Sequence, residues 1–308
     1  MSPRREPTMV EPAEFESYYG RPILKEPAWK QPDVPLYLFL GGAAGASATM
    51  AVLAEVTGRP ALARVGKLVA SGGSLASVVA LIHDLGKPTR FLHMLRVLKP
   101  TSPLSVGSWI LSPFSGLAAV SAASEVTGRL PRIGRLAGLG AGVLGPAMCT
   151  YTAVLLADTA TPSWHEAHGT LPVLFAGSAL TSGAGAALVA APPGETGPAI
   201  RAGLVGAVAE LVAEHHLETG LGLLSEPYRT GRAGKLLKAA KALTAAGAGL
   251  SLLAKRNRAA GVLAGAAYLA SGLCTRFGVY AAGVESTKDP KYVVIPQRER
   301  LERRSAEG

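Results

Sequence analysis

The sequence predicts an all-α, polytopic membrane protein, a bundle of about eight transmembrane helices built as two four-helix halves. Three observations carry this expectation. Of 308 residues, 48% are apolar and only 17% charged, with 37 Gly and 22 Pro. The apolar residues fall in long runs of Ala, Leu, Val and Gly, each close to the roughly 20 helical residues that cross a bilayer's hydrocarbon core. Only helices and closed barrels pair every backbone group in lipid, and the runs lack the alternation of barrel strands. Finally, the net charge of +10 sits between the runs and in the tails. That distribution fixes membrane orientation and argues against nucleic-acid binding.

Residues 1–33 read as an extended polar tail punctuated by Pro22, Pro27 and Pro32, with Tyr18, Tyr19 and Trp29 suited to the membrane interface. With no apolar core after Met1, no cleavable signal peptide is expected. The bundle is expected over 34–284, with spans at 35–56, 62–83, 105–126, 133–157, 171–191, 198–222, 235–254 and 259–283. A charged tail follows over 285–308. Small residues four apart, Gly41 with Gly45 and Gly138 with Gly142, predict close helix contacts. Gly140-Ala-Gly142-Val-Leu-Gly145 matches the dinucleotide fingerprint, but it lies inside an apolar span with no strand before it, so it reads as helix packing. Cys149 and Cys274 also lie in apolar runs and read as small packing residues.

There is one internal echo. Glu55-Val-Thr-Gly-Arg59 closes the first span and Glu125-Val-Thr-Gly-Arg129 closes the third. It reads either as a shared helix stop, with Gly after the last turn, or as the mark of two related hairpins. With eight spans, the side of the termini holds 19 Lys and Arg against 10 on the other, which puts both termini in the cytoplasm of a cell-membrane protein.

Ionisable groups inside a bilayer are costly and are functional candidates. The even-numbered spans all run toward the termini. In them lie His83-Asp84, Tyr151 with Asp158, Glu210 with Glu214, His215, His216 and Glu218, and Arg276 with Tyr280. Except for Glu210 at mid-span, they gather at one face, under the long basic loop 86–108. A polar cluster beneath a capping loop suits a small amphiphile. Glu210, Glu214 and Glu218 recur every four residues, so they share one helix face over about 12 Å of depth. Arg276 is the expected countercharge. The stripe is either a structural Glu–Arg pair or a proton path. His83, His215 and His216 alone lie at useful depth for haem and do not make the facing pairs it needs. No haem or metal is therefore expected in this chain.

The residues resemble a known family. Leu81-Ile-His-Asp-Leu-Gly-Lys-Pro-Thr-Arg-Phe-Leu-His and the following Ser102-Pro-Leu-Ser-Val-Gly-Ser-Trp109 are similar to motifs of the polysulfide-reductase membrane subunits, the NrfD-like family. Leu104 stands where Met is usual. Tyr151-Thr-Ala153 resembles that family's Tyr-Thr-Gly, with Ala153 for Gly. Asp289-Pro-Lys-Tyr and Pro296-Gln-Arg resemble the tails of bacterial members linked to formate dehydrogenase-like enzymes. The resemblance runs from about Tyr18 to about Arg300. It implies a quinone-binding anchor using menaquinone or ubiquinone, with Tyr151, Asp84, His83 and Trp109 at the quinone and Glu210, Glu214, Glu218 and Arg276 on a proton path. It also implies a docked ferredoxin-like iron–sulfur subunit and a molybdenum- or tungsten-pterin catalytic subunit. The competing expectation is a secondary transporter or proton-translocating protein without a redox partner, whose sign would be broken helices in corresponding halves.

Overall fold

A computed structural model describes residues 23–307. Among them there is no strand. Eight long helices cross in alternating directions: α1 (Asp33–Val56), α2 (Pro60–Leu85), α4 (Pro103–Thr127), α5 (Pro131–Ala157), α7 (Leu171–Ala190), α8 (Gly197–Thr219), α10 (Gly231–Ser251) and α11 (Arg258–Lys288). Short helices join them on the side of the termini: α3 (Thr89–Met94), α6 (Pro162–Glu166) and α9 (Glu226–Arg229). A final helix, α12 (Lys291–Glu307), closes the chain. The eight long helices match the expected spans to within a few residues at each end. Five of them open with Pro at the first or second position, where the missing N–H would have had no partner. Ser102 and Asn257 cap α4 and α11 by accepting backbone N–H groups.

Six long helices are apolar enough to cross a membrane on composition alone. The other two, α8 and α10, are long enough but charged. α8 carries Arg201, Glu210, Glu214 and Glu218, and α10 carries Arg232, Lys235, Lys238 and Lys241. Their charges are accommodated by facing each other: Lys241 Nζ lies 2.5 Å from Glu218 Oε2. The fold class is therefore a polytopic all-α membrane protein. Pro113 and Pro146 sit inside α4 and α5 without interrupting either helix, so the broken helices expected of a transporter are not present there.

The long helices pack mainly as two groups of four, α1–α2–α4–α5 and α7–α8–α10–α11, joined by α1 against α7 and α11. In each group the first and fourth helices cross on a glycine pair. A Cβ on Gly45 would come 2.6 Å from the Gly145 carbonyl, and one on Gly185 would come 2.7 Å from the Gly265 carbonyl. Gly142 and Gly145 of the fingerprint are thus contact points for α1. Arg276 sits where the two groups meet. Its Nη2 donates to the Phe175 carbonyl (3.0 Å), its Nε to the Leu38 carbonyl (3.4 Å), and its guanidinium stacks 3.7 Å over the Phe175 ring. Arg276 acts on Glu210 through space, as the expected countercharge, but makes no direct contact with it, its hydrogen bonds going to backbone carbonyls of α1 and α7.

The chain ends also differ from a pair of simple tails. Tyr18 and Tyr19 lie outside the described residues, while Trp29 stacks on Trp164 (5.8 Å between ring centroids) rather than facing lipid. At the other end α11 continues through Lys288 and α12 is helical. Lys291 ties it to Glu226 at 3.0 Å, and that hydrogen bond raises the Lys291 ammonium pKa above its ordinary value.

Candidate functional site

On the face of the termini, the segment before α1 folds across the ends of α2 and α11. The Trp29 carbonyl accepts from Tyr280 Oη (2.6 Å), and the Lys30 N–H donates to Asp84 Oδ1 (2.7 Å). Asp33, the first residue of α1, meets His83 Nδ1 at 2.7 Å. Trp164 lies under this layer, donating its indole N–H to the Val279 carbonyl (2.7 Å) and packing 5.7 Å from the Tyr280 ring. A groove of about 550 Å³ opens beside it, lined by Trp29, Tyr280, Arg232, Glu285 and Lys288 among others.

One helical turn inward from Asp33 is Tyr37. Its phenol meets that of Tyr151 at 2.5 Å, both residues being buried. Four helices converge on this pair: α1 and α5 carry the phenols, Ser77 of α2 donates to the Tyr37 carbonyl (3.1 Å), and Gly107 of α4 lies flat on the Tyr151 ring. A Cβ on Gly107 would come 2.7 Å from Tyr151 Cε2. The absence of a side chain there sets how deep the phenol sits.

The expected site residues therefore separate into layers. His83 and Asp84 form the outer layer with Asp33 and Lys30, and Tyr151 belongs to the inner one with Tyr37. Trp109 faces outward on α4, 41% exposed, and joins neither layer. Tyr37 was missed by sequence reasoning. Its signal was its position four residues after Asp33, on the same helix face.

The glutamate stripe faces inward as expected. Glu210 is fully buried and accepts from Thr275 (2.8 Å), Thr181 (3.1 Å) and Thr244 (3.3 Å). Three hydroxyls thus supply its hydrogen bonds, and Arg276 acts on it as a countercharge without direct contact. Glu214 is buried and neither carboxylate oxygen has a hydrogen-bond partner. Glu218, at the mouth, pairs with Lys241. Among the described residues no cluster of three or more His, Cys, Asp or Glu could hold a metal ion. Cys149 and Cys274 are free.

Fold and site together define a multi-pass membrane protein with a layered polar site at one face and buried acids in its second half. A family model, "Polysulphide reductase, NrfD", matches residues 26–192, more than half of the chain. The chain belongs to the polysulphide reductase NrfD family. The match takes in His83, Asp84, the Tyr37–Tyr151 pair and Trp164 and ends just after α7, so Tyr280 and the α8 glutamates lie outside it. No curated protein matches the chain significantly.

Proposed function

We propose that this chain is the quinone-binding membrane anchor of an oxidoreductase complex in the cell membrane, with cytoplasmic termini. It exchanges electrons between a docked ferredoxin-like iron–sulfur subunit and menaquinone or ubiquinone. A molybdenum- or tungsten-pterin subunit, of the type allied to formate dehydrogenase-like enzymes, completes the relay. The observation that carries this reading is the buried Tyr37–Tyr151 pair one turn beneath the His83–Asp33 contact in an NrfD-family chain.

Reducing a quinone takes two electrons and two protons. A phenol with a second phenol behind it can hydrogen-bond a quinone oxygen and be reprotonated from its neighbour. Asp84 and His83 stand at the aqueous side of the same layer, where protons enter. Trp109, outward on α4 two residues past Gly107, is placed to meet an isoprenoid tail. Glu218, Glu214 and Glu210 form the proposed proton supply in the second half, with Arg276 fixing the junction between halves. Glu214 favours this role over a purely structural one, since it makes no bond that holds helices together. The Trp29 segment, the loop with α3, and α12 form the proposed docking face.

Co-purification tests the reading. The tagged chain, drawn from its native membrane, should bring down an iron–sulfur protein and a pterin-containing subunit. Isolation of the chain alone under gentle conditions, with no such partner, would instead favour a transporter.

A further inference from the structure

The echo in the sequence has a structural meaning on the far face, opposite the site above. Both copies end their helix alike. Thr57 Oγ1 donates to the Leu53 carbonyl and Thr127 Oγ1 to the Ala123 carbonyl, four residues back in each case. Gly58 and Gly128 follow with φ of +68° and +67°, a left-handed turn that glycine adopts without strain. The next helix starts with Pro60 in one copy and Pro131 in the other. The shared helix stop is thus realised at both copies, with Leu130 as an extra residue before the second returning helix.

Among the positions at which the hairpins differ, one bears on the charge of this face. The eighth residue of α2 is Lys67 and the eighth of α5 is Gly138. The Lys67 stem passes Gly138, whose Cβ, if present, would make only ordinary contact with Lys67 Cε at 3.9 Å. Lys67 Nζ contacts both echo glutamates, Glu55 and, at 2.9 Å, Glu125. One ammonium serves two carboxylates, so this three-residue cluster has a net charge of −1, while Arg59 and Arg135 on the same groove carry the opposite sign. The Lys67 side chain is only 10% exposed, but Glu55 and Glu125 keep 25% and 29%. Those exposed edges line a groove of about 480 Å³, together with Arg59, Arg135, Val56 and Leu139. Arg135 is exposed and has no ion-pair or hydrogen-bond partner among the described residues. Behind the carboxylates a second cavity, lined by Lys67, Glu55 and Ser121, has about 10 Å³ of water-accessible space. Ser121 is 2% exposed and its hydroxyl has no partner. The walls are otherwise mostly Ala and Val, and a space of that size beside three polar groups is about what one water needs.

We propose that this groove is a binding site for a phospholipid headgroup bearing a primary ammonium and a phosphate, as in phosphatidylethanolamine. The carboxylate edges of Glu55 and Glu125 that Lys67 leaves exposed supply acceptors for the ammonium. Charge-assisted N–H bonds to carboxylates are about twice as strong as neutral ones. Arg59 and Arg135 supply planar guanidinium forks for the phosphate. The groove lies at the helix ends, where headgroups sit, and Val56 (79% exposed) and Leu139 (41% exposed) offer apolar surface to the acyl chains. A purely anionic headgroup would bring no cation to the carboxylates, and a quaternary ammonium has no N–H to donate.

The test is retention of lipid by the full chain in nanodiscs, read by native mass spectrometry. The discs hold phosphatidylethanolamine, its mono- and dimethyl derivatives, phosphatidylcholine and phosphatidylglycerol with matched acyl chains. The unmutated chain should retain phosphatidylethanolamine several-fold over phosphatidylcholine, with retention falling stepwise as methyl groups are added. Glu125→Gln should remove most of that preference. Equal retention of the amine series overturns the proposal, and so does preferred retention of phosphatidylglycerol. An undiminished preference in Glu125→Gln overturns the location. If Glu125→Gln does not insert, the methylation series on the unmutated chain decides alone.

Discussion

The two four-helix halves bury different chemistry inside the same architecture. The first half, α1–α2–α4–α5, carries phenols and hydroxyls: the Tyr37–Tyr151 pair and, along the same helices, the buried Ser47, Ser115, Ser121 and Thr152. All of these can stay neutral, so its helices remain apolar enough to read as spans. The second half, α7–α8–α10–α11, buries carboxylates and a guanidinium: Glu210, Glu214 and Arg276. Two of its helices are too charged to be spans on composition. Lys241 of α10 pairs with Glu218 of α8 and threonine hydroxyls solvate Glu210, which lowers the cost of charge in lipid. A neutral interior suits binding and orienting a substrate, while an interior with acids at three depths suits moving protons. The family match covers the first half and α7 but stops before the acids.

The largest expected effect tests whether the halves share one frame. Gly145→Leu and Gly265→Leu each drive a side chain into a facing backbone carbonyl, at Gly45 and Gly185. Overpacking typically costs about 1–3 kcal/mol, and here backbone must move. Both variants should lose most assembled protein, measured by size-exclusion yield from membranes. Loss from one variant only would break the parallel between halves.

The next effect sharpens the difference in chemistry. Glu214 bonds to nothing, so Glu214→Gln should assemble normally. Quinone turnover should nevertheless slow about tenfold or more, because general acid–base groups typically contribute 10²–10⁴-fold, and its pH profile should change. Lost assembly would make Glu214 structural. Normal turnover at every pH would remove it from any proton path.

Orientation gives a third check, all-or-none in readout but without effect on stability. Reporters fused at Gly308 and at Pro193 should label opposite sides, with Gly308 cytoplasmic. The smallest effect is expected from Ser115→Ala. Its buried hydroxyl has no partner, so stability should change by less than about 0.5 kcal/mol, as at sites away from specific interactions. A large loss would mean that the first half relies on its hydroxyls as the second relies on its charges.

Much of this was legible in the sequence, for physical reasons. Hydrocarbon thickness sets span length, so eight helices could be located from apolar runs. Helix periodicity alone put Glu210, Glu214 and Glu218 on one inward face. The pairings were not legible, because they depend on which helices become neighbours. Arg276 was expected as countercharge to the glutamates and does act on Glu210, but its direct contacts, the Phe175 and Leu38 carbonyls, come from other helices. Tyr151 was expected beside His83 and Asp84 and lies a turn deeper, against Tyr37. Trp109 was expected at the site, yet the helical turn between Gly107 and Trp109 points the ring outward. The echoed Glu-Val-Thr-Gly-Arg was visible, but its convergence on Lys67 needed the hairpins to be packed.

The account turns on the phenol pair in the neutral half. Tyr151→Phe keeps the ring and removes the hydroxyl, and Tyr37→Phe does the same from the other side. Titration of the purified full chain in nanodiscs with a short-chain menaquinone or ubiquinone analogue measures the consequence directly. We expect Tyr151→Phe to weaken binding about tenfold, equivalent to about 1.4 kcal/mol, with Tyr37→Phe weaker by less and both variants still folded. Unchanged affinity in Tyr151→Phe, with the unmutated chain binding the analogue, would contradict the account.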